Sequence, residues 1–168
     1  VEVTLDQIKD LRERSGAGVM DCKRALEATK GNVDKAIEWL LEKNLASAEK
    51  KAGRETAQGL IDSYIHAGRM GALVEVNCET DFVARTEEFK NLVHELAMQV
   101  AAARPIVVSE EEELPEGTLQ DPNWEPVLLK QPYIRDPQKT IRQLITEAIG
   151  KTGENIQVKR FVRFELGT

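Results

Sequence analysis

Few side chains in this sequence could make or break bonds. Two cysteines, Cys22 and Cys78, and two histidines, His66 and His94, are too thin an inventory for a disulfide scaffold or a four-ligand zinc site. One constellation has the residue types of a thiol nucleophile: Cys78, His66 as its base and Asp81 to orient the base, all near the ends of two adjoining strand-like segments. Against it, Cys78 shares the parity of Val74 and Val76, which points it into a core as a small apolar group. Cys22 lies on the apolar stripe of a helix and reads the same way. Gly150-Lys151-Thr152 resembles the end of a phosphate-binding loop. That loop requires an earlier glycine where Ile145 stands, and a strand–loop–helix order this segment lacks. It reads as a helix end and a turn.

Two apolar residues stand where no periodicity asks for them. Phe82 follows Thr80 and Asp81 in a turn between a strand and a helix, among polar neighbours. A large aromatic there either folds back to plug a gap or is presented to a partner, and taken alone the turn leans toward the first. Asp81 beside it could serve as a helix cap. Met20 sits at the mouth of the Gly16–Gly18 loop and, with Val19, gives a helical module an apolar tip of the kind used for contact.

The elements that must position these residues fall into two modules. Thr4 and Gln7 have capping-box spacing. Leu5, Ile8 and Leu11 then recur on one face, Ser15-Gly16-Ala17-Gly18 breaks the pattern, and a second helix places Val19, Cys22, Ala25, Leu26 and Thr29 inward up to Gly31. Asn32 caps a third amphipathic helix through Val33, Ala36, Ile37, Leu40 and Leu41. Residues 1–45 therefore read as a three-helix bundle, near the lower size limit of independent stability and expected to lean on something. Residues 46–56, rich in Ala and Lys, read as a helical linker.

From residue 57 the period changes. Leu60 to His66 alternates as a strand, Ala67 to Gly71 reads as a five-residue glycine-bearing hairpin loop, and Ala72 to Cys78 returns. A long helix begins near Thr86 with Phe89, Leu92, Val93, Leu96, Ala97, Val100 and Ala101 inward. Asp136-Pro137 offers a cap and first-turn proline for a further helix, with Ile141, Leu144, Ile145, Ala148 and Ile149 inward and Gly150 closing it. Ile156 to Leu166 finishes as a strand. All six prolines lie between Pro105 and Pro137, so about 105–136 is read as a surface excursion, with Trp124 and Tyr133 touching the body. The expected fold class is α+β, a three-helix bundle followed by a small antiparallel sheet packed with helices.

Composition narrows the function. With 23 basic against 29 acidic residues the net charge is −6, which argues against a protein built to coat nucleic acid. Over residues 1–56 the charges balance at eleven of each sign, so the bundle is no basic DNA-reading module. No apolar run approaches the roughly 18–20 residues of a membrane span, and no basic-then-apolar leader is visible. A soluble, intracellular protein is expected, in the cytoplasm or an organellar matrix, without membrane or direct nucleic-acid partners.

Three stretches resemble one family. Leu11-Arg12-Glu13-Arg14-Ser15-Gly16-Ala17-Gly18-Val19-Met20-Asp21-Cys22-Lys23 is similar to the N-terminal signature of translation elongation factor Ts. Val74-Glu75-Val76-Asn77-Cys78-Glu79-Thr80-Asp81-Phe82-Val83-Ala84 is similar to its second signature, and Gly153-Glu154-Asn155-Ile156 with Arg160-Phe161-Val162-Arg163-Phe164-Glu165 matches its C-terminal region. The resemblance spans roughly residues 3–104 and 132–167. It implies a guanine-nucleotide exchange factor for elongation factor Tu, with no cofactor, no metal of its own and no bond chemistry. The bundle would be ubiquitin-associated-like and dock on the GTPase domain through Arg12, Val19, Met20 and Lys23, Val19 replacing a methionine common among relatives. Thr80, Asp81, Phe82 and Val83 would form the wedge that dislodges the partner's Mg²⁺, and Tyr64 and His66 a further contact. Relatives with a single sheet module pair as dimers, so residues 57–168 are expected to be a core and dimerisation module and the chain a homodimer. Where short relatives insert a helical stretch, this chain has the compact segment Arg104 to Gln131. Two other readings remain beside exchange at this stage: an adaptor using the Met20 tip, for instance on ubiquitin, and a thiol enzyme.

Overall fold

Local capping decides where the N-terminal helices begin. The computed structural model describes residues 2–168. Helix α1 (Leu5–Ser15) opens on a reciprocal box, Thr4 Oγ1 accepting from Gln7 N at 3.2 Å and Gln7 Oε1 from Thr4 N at 3.0 Å. It stops at Gly16, whose φ of 67° suits a residue without Cβ. Helix α2 (Val19–Ala28) and helix α3 (Val33–Lys51) follow, α3 capped by Asn32. Leu11, Cys22, Ala25, Leu26, Ala36 and Leu40 make the bundle's own core. Leu5, expected inward, is exposed. Helical side chains lean toward the N-terminus, so one in the first turn points past the helix end.

Helix α3 continues unbroken to Lys51, so residues 46–51 are helix continuous with the bundle. Strands β1 (Gln58–His66) and β2 (Met70–Cys78) form the hairpin. The pair His66↔Met70 leaves three loop residues rather than five, Ala67 and Gly68 taking φ of 53° and 66°. The one-turn α4 (Asp81–Ala84) and the long α5 (Glu87–Ala103), capped by Thr86, come next.

The insert is held to the body at several points. Trp124 Nε1 donates to Arg104 O at 3.2 Å and Tyr133 Oη to Glu95 Oε2 at 2.7 Å. Beneath them lies a buried amide pair, Gln99 Nε2 donating to Gln131 Oε1 at 3.1 Å. Burial and the Glu95 carboxylate push the Tyr133 phenol well above its ordinary value.

A short ribbon, β3 (Pro132–Tyr133) with β4 (Asp136–Thr140), occupies the place expected to begin a helix. Helix α6 (Ile141–Thr152) starts later, on a second capping box between Thr140 and Gln143, and ends at Gly153 rather than Gly150. Pro137 is tolerated where it lies because the ribbon has only two strands, both of them edges. Strand β5 (Gln157–Glu165) completes a three-stranded antiparallel sheet of order β1-β2-β5. One face of that sheet buries Val74, Val76, Cys78 and Val158 against Phe89, Val93, Leu96 and Val100 of α5 and Ile141, Ile145 and Ile149 of α6. The bundle leans on this body through α3, which packs along α6. A Cβ at Gly150 would collide with Asn44 Oδ1, so this glycine serves close helix approach.

Candidate functional site

The corner after β2 is built by exchanged carboxylates. Thr80 takes extended backbone angles and caps α4, its Oγ1 accepting from Val83 N at 3.3 Å. Glu154, in the turn between α6 and β5, reaches across to the same corner. One of its oxygens accepts from Glu79 N at 3.1 Å and Thr80 N at 2.9 Å, and the other accepts from Thr80 Oγ1 at 2.6 Å. Glu79 answers in the opposite direction, accepting from Asn155 N at 2.7 Å and pairing with Arg54 at 3.4 Å. The Asn155 amide, with Arg54 behind it, holds the Glu79 carboxyl below the usual carboxylate range.

On this framework Phe82 is 77% exposed while its neighbours Val83 and Ala84 are buried. Asp81 is also exposed and pairs with Arg85 at 2.7 Å, an i,i+4 surface contact of little energetic weight. Of the four residues expected to form a wedge, Asp81 and Phe82 thus face solvent, Thr80 spends its hydroxyl on internal bonds, and Val83 anchors the turn from below. Thr80, not Asp81, is the cap.

The other expected contact residues lie elsewhere. Arg12 in the last turn of α1 and Val19, Met20 and Lys23 in the first turns of α2 flank the Gly16–Gly18 turn, all exposed, Met20 at 60%. Lys23 lies 3.9 Å from Glu27. Tyr64 and His66 sit at the hairpin end, where the Tyr64 hydroxyl and His66 Nδ1 share a hydrogen bond of 3.0 Å. His94 from α5 stacks edge-on to Tyr64 and bonds Asp62 at 3.1 Å. The sequence singled out neither Asp62 nor His94 as part of this cluster. Glu154 and Asn155 were visible only as part of a matching run.

Strand register disposes of the thiol constellation. Cys78 pairs with Gln58 and His66 with Met70, so the two lie at opposite ends of the hairpin. At about 3.3 Å per residue that is roughly 26 Å. Cys78 is buried, its Sγ donates to Thr80 O at 3.2 Å, and burial together with the Glu154 charge pushes its thiol up. No group of His, Cys, Asp and Glu able to hold a metal ion occurs among the described residues. Nor is any helix among them long and apolar enough to cross a membrane.

Among the described residues no helix covers the sheet's second face. Ile61 and Ile65 of β1, Leu73 of β2 and Val162 and Phe164 of β5 are all exposed on it, Phe164 at 74% and Ile65 at 70%. Register sets them in rows, Ile65–Gly71–Phe164 above Ser63–Leu73–Val162, with Ile61–Glu75–Arg160 below.

A family model described as elongation factor TS matches residues 25–121 and 111–168. The chain is 47% identical over 194 residues to the elongation factor Ts of Carboxydothermus hydrogenoformans, covering 98% of this chain and 89% of that protein. It is 48% identical over 196 residues to that of Rippkaea orientalis, covering 99% and 79%. Against that of Thermoanaerobacter sp. strain X514 it is 48% identical over 194 residues, covering 98% and 95%. The two stretches that match the family model meet within 111–121, inside the proline-rich insert.

Proposed function

The chain belongs to the elongation factor Ts family, and on that premise we propose that it binds the GDP form of elongation factor Tu and promotes GDP release without making or breaking a bond. The observation that carries this reading is Phe82, an exposed ring on a corner whose backbone is pinned from two sides. Nucleoside diphosphates owe much of their affinity to Mg²⁺ bridging phosphate and protein. The Asp81-Phe82 pair, pushed beside that metal in the partner, displaces the elements that hold it and deprives the phosphates of a charge partner. Each tenfold loss of affinity corresponds to about 1.4 kcal/mol. The coupling is reciprocal, so GDP weakens the factor's own binding by the same ratio.

In this reading residues 1–45 dock through Arg12, Val19, Met20 and Lys23, residues 46–56 connect, and residues 57–168 deliver the wedge, with Tyr64 and His66 as a further contact. The test is release of a fluorescent GDP analogue from elongation factor Tu. The wild-type protein should accelerate it and Phe82→Ala should blunt the effect. An unchanged rate with the wild-type protein would end the reading.

The homodimer expected of the single-module type also belongs here, through the open sheet face. Stable monomers seldom leave contiguous apolar patches beyond a few hundred Å² uncovered. Sheets stack face to face about 10 Å apart, and Glu75 and Arg160 in one row put both charge signs at the rim, which suits a two-fold contact between copies.

A further inference from the structure

We propose that Glu154 is a positioning residue for nucleotide exchange: from the turn after α6 it fixes the corner that carries Phe82, and with Asn155 it ties that corner to the exit of the bundle's last helix. This rests on the exchange reading above. Three separate segments meet at the node. The corner contributes the N–H groups of Glu79 and Thr80 and the Thr80 hydroxyl, all three donating to the Glu154 carboxylate. The turn after α6 contributes the Asn155 N–H, received by Glu79. The chain leaving α3 contributes two carbonyls, Ala52 O at 3.4 Å and Arg54 O at 2.9 Å from Asn155 Nδ2, and the Arg54 guanidinium on Glu79.

The chemistry suits a brace. Hydrogen bonds to a carboxylate are stronger than neutral ones, and three on one group leave the corner little freedom to rotate. The partners are 74 to 76 residues apart in the chain, so no local turn propensity could do the same. Without the brace α4 is a single turn attached by its buried Val83 and Ala84, and a ring pushed into another molecule would swing away. With it, the force is returned to the sheet and α6. Because the node also holds residues 52–54, the bundle tip and the wedge are presented to one partner at a set separation, which spares ordering on binding.

The experiment follows release of the fluorescent GDP analogue from elongation factor Tu as the factor is titrated, for wild type, Glu154→Ala, Phe82→Ala and the double variant. Glu154→Ala should lower the maximal rate about tenfold and shift the half-saturating concentration much less. In the Phe82→Ala background the same substitution should change the rate by less than about twofold, since a brace has nothing left to aim. Glu154→Gln, which retains an acceptor for the two amides, should recover most of the rate. An unchanged rate in Glu154→Ala, or the same fold loss with and without Phe82, overturns the proposal. Amide hydrogen exchange is read on the same proteins. In both Glu154 variants the amides of α5 from Val93 to Val100 should keep their protection, and in Glu154→Ala those of Glu79 and Thr80 should exchange at least about tenfold faster. Unaltered exchange at Glu79 and Thr80 refutes the brace whatever the GDP assay reads. If the wild-type factor fails to release GDP while the brace is found, it is the exchange reading that falls, and the positioning role with it.

Discussion

Phe82 and Val83 stand back to back on one turn: the ring is 77% exposed while the valine beside it is 5% exposed and packed in the main core. The pair divides the work of the corner. Val83 secures the turn and Phe82 has little intramolecular packing to lose. Their substitutions therefore separate stability from function. Phe82→Ala should leave the denaturation midpoint within about 0.5 kcal/mol of wild type while blunting GDP release. Val83→Ala should cost about 1–2 kcal/mol of stability, measured by urea titration. A large loss of stability in Phe82→Ala would mean that the ring is part of the fold.

Neither cysteine should behave as a nucleophile. Both are buried, and burial raises both thiols above their ordinary value, Cys78 further so by the nearby Glu154 charge. Alkylation of the native protein at neutral pH should be slow at both and become fast only in denaturant. Rapid, selective labelling of native Cys78 would reopen thiol chemistry despite the separation from His66.

Gly59 should tolerate no side chain. Its φ is 154°, and a Cβ would collide with the Val76 carbonyl oxygen and lie 2.8 Å from Asn77 Cα, both of them backbone next to the irregularity at Glu75/Val76. The carbonyl it would meet belongs to β2, which is held by pairing on both sides, so relief would have to come from edge strand β1 giving up its own ladder bonds. Gly59→Ala should destabilise by about 3 kcal/mol or more, seen as a fall in the thermal midpoint.

Much of this architecture is legible in the sequence because it is local. Caps at Thr4, Asn32 and Thr86 and the stripe from Phe89 to Ala101 each lie within a turn or two of the residues they organise. The last helix departs from its sequence signals at both ends for identifiable reasons. Two start signals lie four residues apart, the Asp136-Pro137 pair read from the sequence and the box at Thr140 and Gln143 that the chain uses. At the other end Gly150 looked like a stop, yet its missing Cβ makes room for Asn44 of α3, a demand set by packing. Phe82 was visible as an anomaly, but which way it faced was not, and Glu154 could not be tied to Thr80 until β5 was seen beside β2. The buried Gln99 and Gln131 pair was hidden because only the folded insert covers that side of α5.

Acid should weaken the protein through its paired glutamates. Asn155 N–H and Arg54 hold Glu79 below the usual carboxylate range, Asn77 and Arg160 do so for Glu75, and Arg142 for Glu110. A carboxyl depressed in the folded state adds stability above its unfolded value, near 4.3, and that stability is lost as pH falls through the folded value. Stability should hold from neutral pH to about 5 and then decline. Glu79→Gln should lower stability at pH 7 and flatten the acid limb, followed by urea midpoints across that range. An acid limb identical to wild type would mean that Glu79 titrates as it does unfolded.

The open sheet face gives the last prediction. Ile61, Ile65, Leu73, Val162 and Phe164 are exposed together, and Phe164 and Ile65 occupy one register row with only Gly71 between them. A ring at that position can enter the shallow space over the glycine of a facing copy, so the row is knob and hole at once, as a two-fold contact requires. Sedimentation equilibrium at micromolar concentration should report a dimer for the wild-type protein and a monomer for Phe164→Glu, since two like charges would meet near the axis without water. The variant should keep its helices and its core, because Phe164 is largely exposed and lies outside the core cluster in the single copy. If dimerisation brings two wedges to one assembly, Phe164→Glu should also weaken binding to elongation factor Tu while leaving the Phe82 effect in place. A wild-type monomer, free or bound to its partner, would remove the second copy and leave this face to another occupant.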